Sequence, residues 1–282
     1  MEDIWAGDFT TRSTGEARPQ EIRVVNWNID RGLQFDAIAD FLACQRADLV
    51  LLQEVDVGTR RTRCRNIAEE LAIRLRMNYV FGCEFEELSQ QTGNGRAFHG
   101  QATLSRYPQA NARLIRFRRQ SNFWRPRWYL PRTEPFQVRL GGRIALITDV
   151  EISEGETSKV YNLHLESRGN DKLRLSQLQD AVCDARKHTA RDALVLAGDF
   201  NFDVLHHKSA ATLAERAGLR NAMGASNANT TAGGFLKRGR RIDWAFVSGS
   251  IGASDGRIHL EIEASDHYPI SFSIHCVRNN SD

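Results

Sequence analysis

Leu49-Val50-Leu51-Leu52-Gln53-Glu54 is the stretch whose reading decides the fold. An apolar run without polar alternation suits a strand buried on both faces. Upstream of it, Ile22-Arg23-Val24-Val25-Asn26-Trp27-Asn28 is rich in β-formers and reads as a first strand. Between the two, Phe35, Ile38, Ala39 and Leu42 recur at helical spacing, and Ile67–Leu75 repeats that period. The N-terminal third therefore reads β-α-β-α-β.

The middle of the chain changes character. Residues 102–105, 112–115, 136–140, 144–150 and 160–165 read as strands, with Gly141-Gly142 as a hairpin signal between two of them. An amphipathic helix is expected over 172–187, a strand over 193–197 and a helix over 209–217. Strands at 242–247, 258–262 and 270–274 complete the pattern. No linker separates two cores. The expectation is one α/β domain over residues 21–278, preceded by a flexible leader over residues 1–20.

Composition sets outer bounds. The 282 residues are 41% hydrophobic and 26% charged, with a net charge of +3. That balance is ordinary for a globular protein, and the charge is too small to argue for nucleic acid by itself. The five cysteines, Cys44, Cys64, Cys83, Cys183 and Cys276, form no CxxC pair, which argues against a zinc knuckle or a thioredoxin-like motif. They read as free thiols in a reducing compartment. No apolar run is long enough for a membrane span and no secretory h-region is visible, so the expectation is a cytoplasmic protein.

Several strands end in a polar residue where the apolar run stops. These are Asn28, Gln53-Glu54, Asn162-Leu163-His164, Gly198-Asp199-Phe200-Asn201, Asp243, and the hinge Ser265-Asp266-His267-Tyr268-Pro269. Each alone reads equally as a turn, a loop or a solvated strand position. Together they are candidates for one pocket at the end of a sheet scaffold. Their types suit phosphate-ester hydrolysis, which must neutralise charge on the phosphoryl and leaving oxygens. Glu54 and Asp266, with Asn28, offer hard oxygens for Mg²⁺ or Mn²⁺. Asp199 is suited to orient water, Asn201 to hold phosphate, and a His267–Asp243 pair to meet developing charge.

In this order the motifs resemble those of the endonuclease/exonuclease/phosphatase superfamily, from Asn28 to His267. Gly100-Gln101-Ala102-Thr103-Leu104-Ser105-Arg106-Tyr107-Pro108 and Arg241-Ile242-Asp243-Trp244 belong to the same set. The resemblance implies a four-layered α/β/β/α sandwich of two packed mixed sheets with helices outside. It implies a metal held by Glu54 with Asn28, Asp199 and Asp266, and catalytic roles for His164, Asp199, Asn201, Asp243 and His267. It implies a Mg²⁺- or Mn²⁺-dependent hydrolase, foremost a phosphodiesterase or nuclease, with a lipid or small-molecule phosphatase as the alternative and a non-catalytic binding protein as the remote one. His164 matches the deoxyribonuclease and sphingomyelinase branches.

Between Arg106 and Arg132 lie eight arginines and no acidic residue: Arg106, Arg113, Arg116, Arg118, Arg119, Arg125, Arg127 and Arg132. Phe117, Phe123, Trp124, Trp128 and Tyr129 are interleaved with them. The segment from Arg113 to Arg132 suits nucleic acid, whose bases stack on rings. It equally suits a membrane surface, or a solvated edge with a Trp-rich loop. Lys237-Arg238-Gly239-Arg240-Arg241 adds charge before Asp243. No protein partner is implied.

Overall fold

A computed structural model describes residues 4–10, 21–123, 127, 129–131, 133, 136–153, 156–188, 193–233 and 238–276. The first sheet contains β1 (Ile4–Asp8), β2 (Glu21–Arg31), β3 (Leu49–Val57), β4 (Asn78–Glu87), β5 (Phe98–Ser105), β7 (Arg139–Gly141), β13 (Ile251–Ile258) and β14 (Ile270–Cys276). Its order is β1-β4-β5-β3-β2-β14-β13, with β7 on β4. The second sheet contains β6 (Gln109–Arg116), β8 (Ile144–Ser153), β9 (Glu156–His164), β10 (Ala193–Asp199), β11 (Arg220–Asn221) and β12 (Asp243–Ser248), ordered β11-β12-β10-β9-β8-β6. Four helices accompany them: α1 (Phe35–Cys44), α2 (Ile67–Leu75), α3 (Asp171–Ala185) and α4 (Lys208–Arg216).

Strand alternation explains the layers. Along β3, Val50 and Leu52 pack with Ile38, Leu42 and Leu71 of α1 and α2, whereas Leu49 and Leu51 face Val160, Val195 and Val247 of the other sheet. The outer face of the second sheet, with Leu194, Leu196 and Phe246, buries Leu178 and Val182 of α3 and Ala210 of α4. The stacking is helix, sheet, sheet, helix, as expected. No helix among the described residues is long and apolar enough to cross a membrane.

Three expectations are corrected. The first is the leader. Ile4–Asp8 is a strand antiparallel to β4, and Trp5 stacks on Phe81 with ring centroids 5.0 Å apart. Residues 11–20 lie outside the described set. The second is the hairpin at Gly141-Gly142. Residues 136–138 are not in a strand, β7 pairs with β4, and β8 belongs to the other sheet. The diglycine carries the chain between sheets, where a Cβ on Gly141 would stand 1.9 Å from the Glu84 carbonyl oxygen. The third is the strand over 258–262. The strand is 251–258, a polar edge whose sequence shows no hydrophobic alternation, and Ile262 closes a turn on the His259 carbonyl.

The two sheets are also joined by polar groups beneath their shared edge. Gln53 Nε2 donates to Asn26 Oδ1 at 2.9 Å and to Asn162 Oδ1 at 2.7 Å. Asn162 Nδ2 in turn donates to the Leu52 and Ala102 carbonyls at 3.1 and 3.0 Å. All three amides are fully buried.

Gly198 marks the tightest approach near that edge. In the parallel β9–β10 pair it stands opposite Leu163, and a Cβ would meet the Leu163 carbonyl oxygen at 2.0 Å. That neighbour is backbone and cannot rotate away. Gly198→Ala is expected to destabilise the protein by about 3 kcal/mol or more, read as a lower denaturation midpoint in urea. A midpoint equal to wild type would show that the pair has room to separate.

Candidate active site

His164, Asp199 and Asp243 sit at strand ends and His267 beyond one, whereas Asn28 and Glu54 lie inside β2 and β3 where the register shifts. Asn28 comes from β2 and Glu54 from β3 in one sheet; His164, Asp199 and Asp243 come from β9, β10 and β12 in the other. Register puts Asp199 directly opposite both His164 and Asp243. The hinge carrying His267 is pinned between sheets. Trp27 Nε1 donates to the His267 carbonyl at 2.8 Å, and Ser265 Oγ donates to the Asn28 carbonyl at 2.7 Å.

Asp199 is the hub. Its Oδ1 accepts the Asn201 backbone N–H at 2.8 Å, and its Oδ2 accepts Asn201 Nδ2 and Asn28 Nδ2, each at 3.2 Å. The Nε2 atoms of His164 and His267 lie 3.7 and 3.8 Å from the same Oδ2. Asn201 Nδ2 also donates to the Leu165 carbonyl at 3.1 Å, so its two amide hydrogens are divided between Asp199 and the backbone. Asn201 and Glu54 both have left-handed backbones, with φ of 56° and 52°. At Glu54 the register of β3 against β5 shifts, a bulge that re-aims the side chain.

His267 and Asp243 form a buried pair, Nδ1 to Oδ2 at 2.9 Å. Burial opposes the imidazolium, but the carboxylates of Asp243 and Asp199 outweigh it and push the His267 pKa up to about 10. Burial drives Asp243 the other way, upward, against the pull of His267. Asp199, Asp243 and His267 place ligand-capable atoms within 4.8 Å of one another. Two carboxylates and an imidazole so close suit either a cation or proton transfer, since a metal that binds there would displace the imidazole proton.

Glu54 has the character of a cation ligand. Burial raises its pKa, yet the charges of His99, His164, Arg31 and Arg143 hold it down to about 2. Its side chain is 21% exposed, and its contacts are long: Asn28 Nδ2 at 3.4 Å and Arg31 at 3.5 Å. An ionised carboxylate with loose partners beside an amide suits a hard divalent ion. Asp266 is exposed at the rim, where its carboxylate accepts only from Ser265 Oγ at 3.4 Å among the described hydrogen bonds.

Sequence reading missed the support of His164. Glu84 of β4 is fully buried and takes Gln101 Nε2 at 2.8 Å and Arg143 at 2.6 Å. His164 Nδ1 lies 2.8 Å from Arg143 and 3.2 Å from Glu84. Both contacts fall on Nδ1, leaving Nε2 buried without a hydrogen bond and turned toward Asp199. A second buried group, Asp56 with His99 at 2.8 Å and Arg61 at 2.6 Å, flanks Glu54. The only sequence trace of these groups is a charged residue inside an otherwise apolar strand.

The arginine-rich segment divides. Arg106 donates to the Ala47 carbonyl and Arg116 to the Gly142 carbonyl, at 3.0 and 2.9 Å, and Arg113 and Arg118 pair with Asp184 and Asp180 of α3. Trp124, Arg125, Trp128 and Arg132 lie outside the described residues, as does Lys237. Arg241 is buried over the Trp244 ring, and Arg240 donates to the Asn201 carbonyl at 2.9 Å.

The His267 shift has a thermodynamic consequence. Its folded pKa lies above the unfolded one, so the stability it contributes is complete below pH about 6.5 and lost as pH rises through about 10. In EDTA, the difference in unfolding free energy between wild type and His267→Gln is expected to shrink as pH rises from about 7 to about 10.5. A constant difference over that window would show that His267 folds with an ordinary pKa.

The description "Endonuclease/Exonuclease/phosphatase family" matches residues 25–267 of this chain. No curated protein matches the sequence. Among solved structures, an endonuclease/exonuclease/phosphatase protein of Beutenbergia cavernae aligns with TM-score 0.65 at 19% identity, covering 92% of this chain and 72% of that one. TDP2 of D. rerio, in a structure with single-strand DNA product, aligns with TM-score 0.63 at 18% identity, covering 91% and 100%. A family protein of Leptotrichia buccalis aligns with TM-score 0.61 at 16% identity, covering 89% and 98%. At these identities the structural likeness speaks for the fold, and the family match over most of the chain establishes the relationship: this protein belongs to the endonuclease/exonuclease/phosphatase family.

Proposed function

We propose that this chain is a divalent-metal-dependent phosphodiesterase. The observation that carries the reading is the convergence of four side chains from both sheets on Asp199 Oδ2, next to an ionised Glu54. Glu54 and Asn28, with Asp266 at the rim, would hold Mg²⁺ or Mn²⁺. Bound there, the ion supplies positive charge to the phosphoryl and leaving oxygens. Asp199, with Oδ1 and Oδ2 steadied by Asn201 and Asn28, orients a water for attack on phosphorus and takes its proton. His267, a cation at neutral pH and oriented by Asp243, donates from Nε2 to a phosphoryl oxygen as charge builds. His164, braced by Glu84 and Arg143, offers Nε2 from the opposite side of Asp199.

Nucleic acid is the favoured diester, because TDP2 of the same fold was solved with single-strand DNA product. The alternatives are lipid and small-molecule phosphates. The test is a magnesium-dependent panel of single- and double-stranded DNA, RNA, sphingomyelin, phosphoinositides and a generic diester. EDTA is expected to abolish turnover, and Asp199→Ala and His267→Ala are each expected to lower kcat by about a thousandfold or more. Full activity in EDTA would remove the metal, and a loss below about tenfold in folded protein would remove the substituted residue from the chemistry.

A further inference from the structure

Beside the active edge lies an open cleft of about 400 Å³, bordered by Phe123, Arg127, Phe136, Val138, Arg139 and Arg168. Three of these are large apolar side chains left in solvent: Phe123 is 62% exposed, Phe136 52% and Val138 58%. Three more are guanidinium groups, and the buried Gln137 completes the described lining. Arg168 stands over the Phe123 ring, 5.0 Å from its centroid. Among the described residues no carboxylate borders the cleft.

The cleft is joined to the site on the His164 side. Arg143 bonds His164 Nδ1 through one nitrogen and Ser167 Oγ through the other, at 2.8 and 3.2 Å, and Ser167 immediately precedes Arg168. Arg139 pairs with Glu87 at 2.7 Å, and Glu87 also meets Arg61 of the group flanking Glu54. This bonded path ties the wall of the site at His164 to Arg168 at the border of the cleft.

We propose that the cleft takes a nucleobase neighbouring the scissile phosphate of a single-stranded nucleic acid, which rests on the phosphodiesterase reading above. The chemistry selects that occupant. Rings interleaved with guanidinium groups match an alternation of flat bases and phosphates. The apolar part is three side chains broken by arginines, a poor surface for acyl chains but a good one for a single planar ring. A paired duplex would keep its bases stacked and out of reach, so single strands are preferred over double strands.

The test is binding of a labelled oligonucleotide of about ten thymidines, followed by anisotropy in EDTA so that nothing is cut. Phe123→Ala/Phe136→Ala is expected to weaken binding by about fivefold or more while leaving the salt dependence unchanged. Arg168→Gln is expected to lower the slope of log Kd against log salt by about 0.7, one phosphate contact fewer. An abasic strand with the same number of phosphates is expected to bind wild type and the double variant alike. Equal binding of the thymidine strand to wild type and double variant, or no binding to wild type, would overturn the proposal. So would loss of binding to phosphatidylglycerol vesicles with none to the strand, which would assign the cleft to a membrane. Magnesium-dependent cleavage of a generic diester by wild type, measured alongside, separates the two readings. Turnover with no effect of the cleft variants sinks this inference alone, and its absence sinks the catalytic reading while the binding result still judges the cleft.

Discussion

The active edge depends on how two sheets are fastened together just beneath it, and a buried amide does the fastening. Asn162 of β9 reaches across to the Leu52 and Ala102 carbonyls and receives Gln53 in return. Apolar side chains between sheets tolerate small sliding, because burial has no direction. Hydrogen bonds do not, and a buried amide left without a partner costs roughly 1–3 kcal/mol. The contacts around Asp199 span the same gap: Asn28 belongs to one sheet, while Asp199, His164 and Asp243 belong to the other. The bridge therefore sets the register in which those groups meet.

On that frame, some charges are cancelled in pairs and others are not. Asp243 balances His267, and Glu84 balances Arg143. Asp199 is shared among two amides and two imidazoles, and among the described residues Glu54 has only distant partners. A carboxylate held ionised without a close counter-charge is the one with electrostatic attraction left over for a ligand. Left-handed backbone at Glu54 and Asn201 belongs to the same logic, since strain persists where surrounding contacts over-determine a conformation.

Much of this was readable from the residues. The run at 49–52 gave a doubly buried strand because both of its faces meet apolar neighbours, and helices α1 and α2 followed from their period. The site residues were legible because strand ends break hydrophobic pattern abruptly. Glu84 and Arg143 were not, since their meaning lies in a pairing between β4 and the residue just before β8, which no local pattern encodes. The edge strand β13 escaped for the opposite reason: one face is solvated, so its residues need not be apolar. Gly141-Gly142 misled because glycine serves a hairpin and a close crossing equally well, and only the Glu84 carbonyl tells them apart.

The two histidines show why the third dimension mattered most at the chemistry. In sequence each is one histidine near a strand end. In space each turns Nε2 toward Asp199 Oδ2, at nearly the same distance, and each is gripped at Nδ1. The grips differ. Asp243 is a lone carboxylate and makes His267 a cation. His164 meets a carboxylate already claimed by Arg143, so the charge beside it is largely spent. A phosphate entering between them would meet two imidazole Nε2 atoms whose supports differ, Asp243 behind one and the Glu84–Arg143 pair behind the other. One wall of the site thus rests on a single carboxylate and the other on a buried ion pair, so the two imidazoles are held by different means although they face the same oxygen.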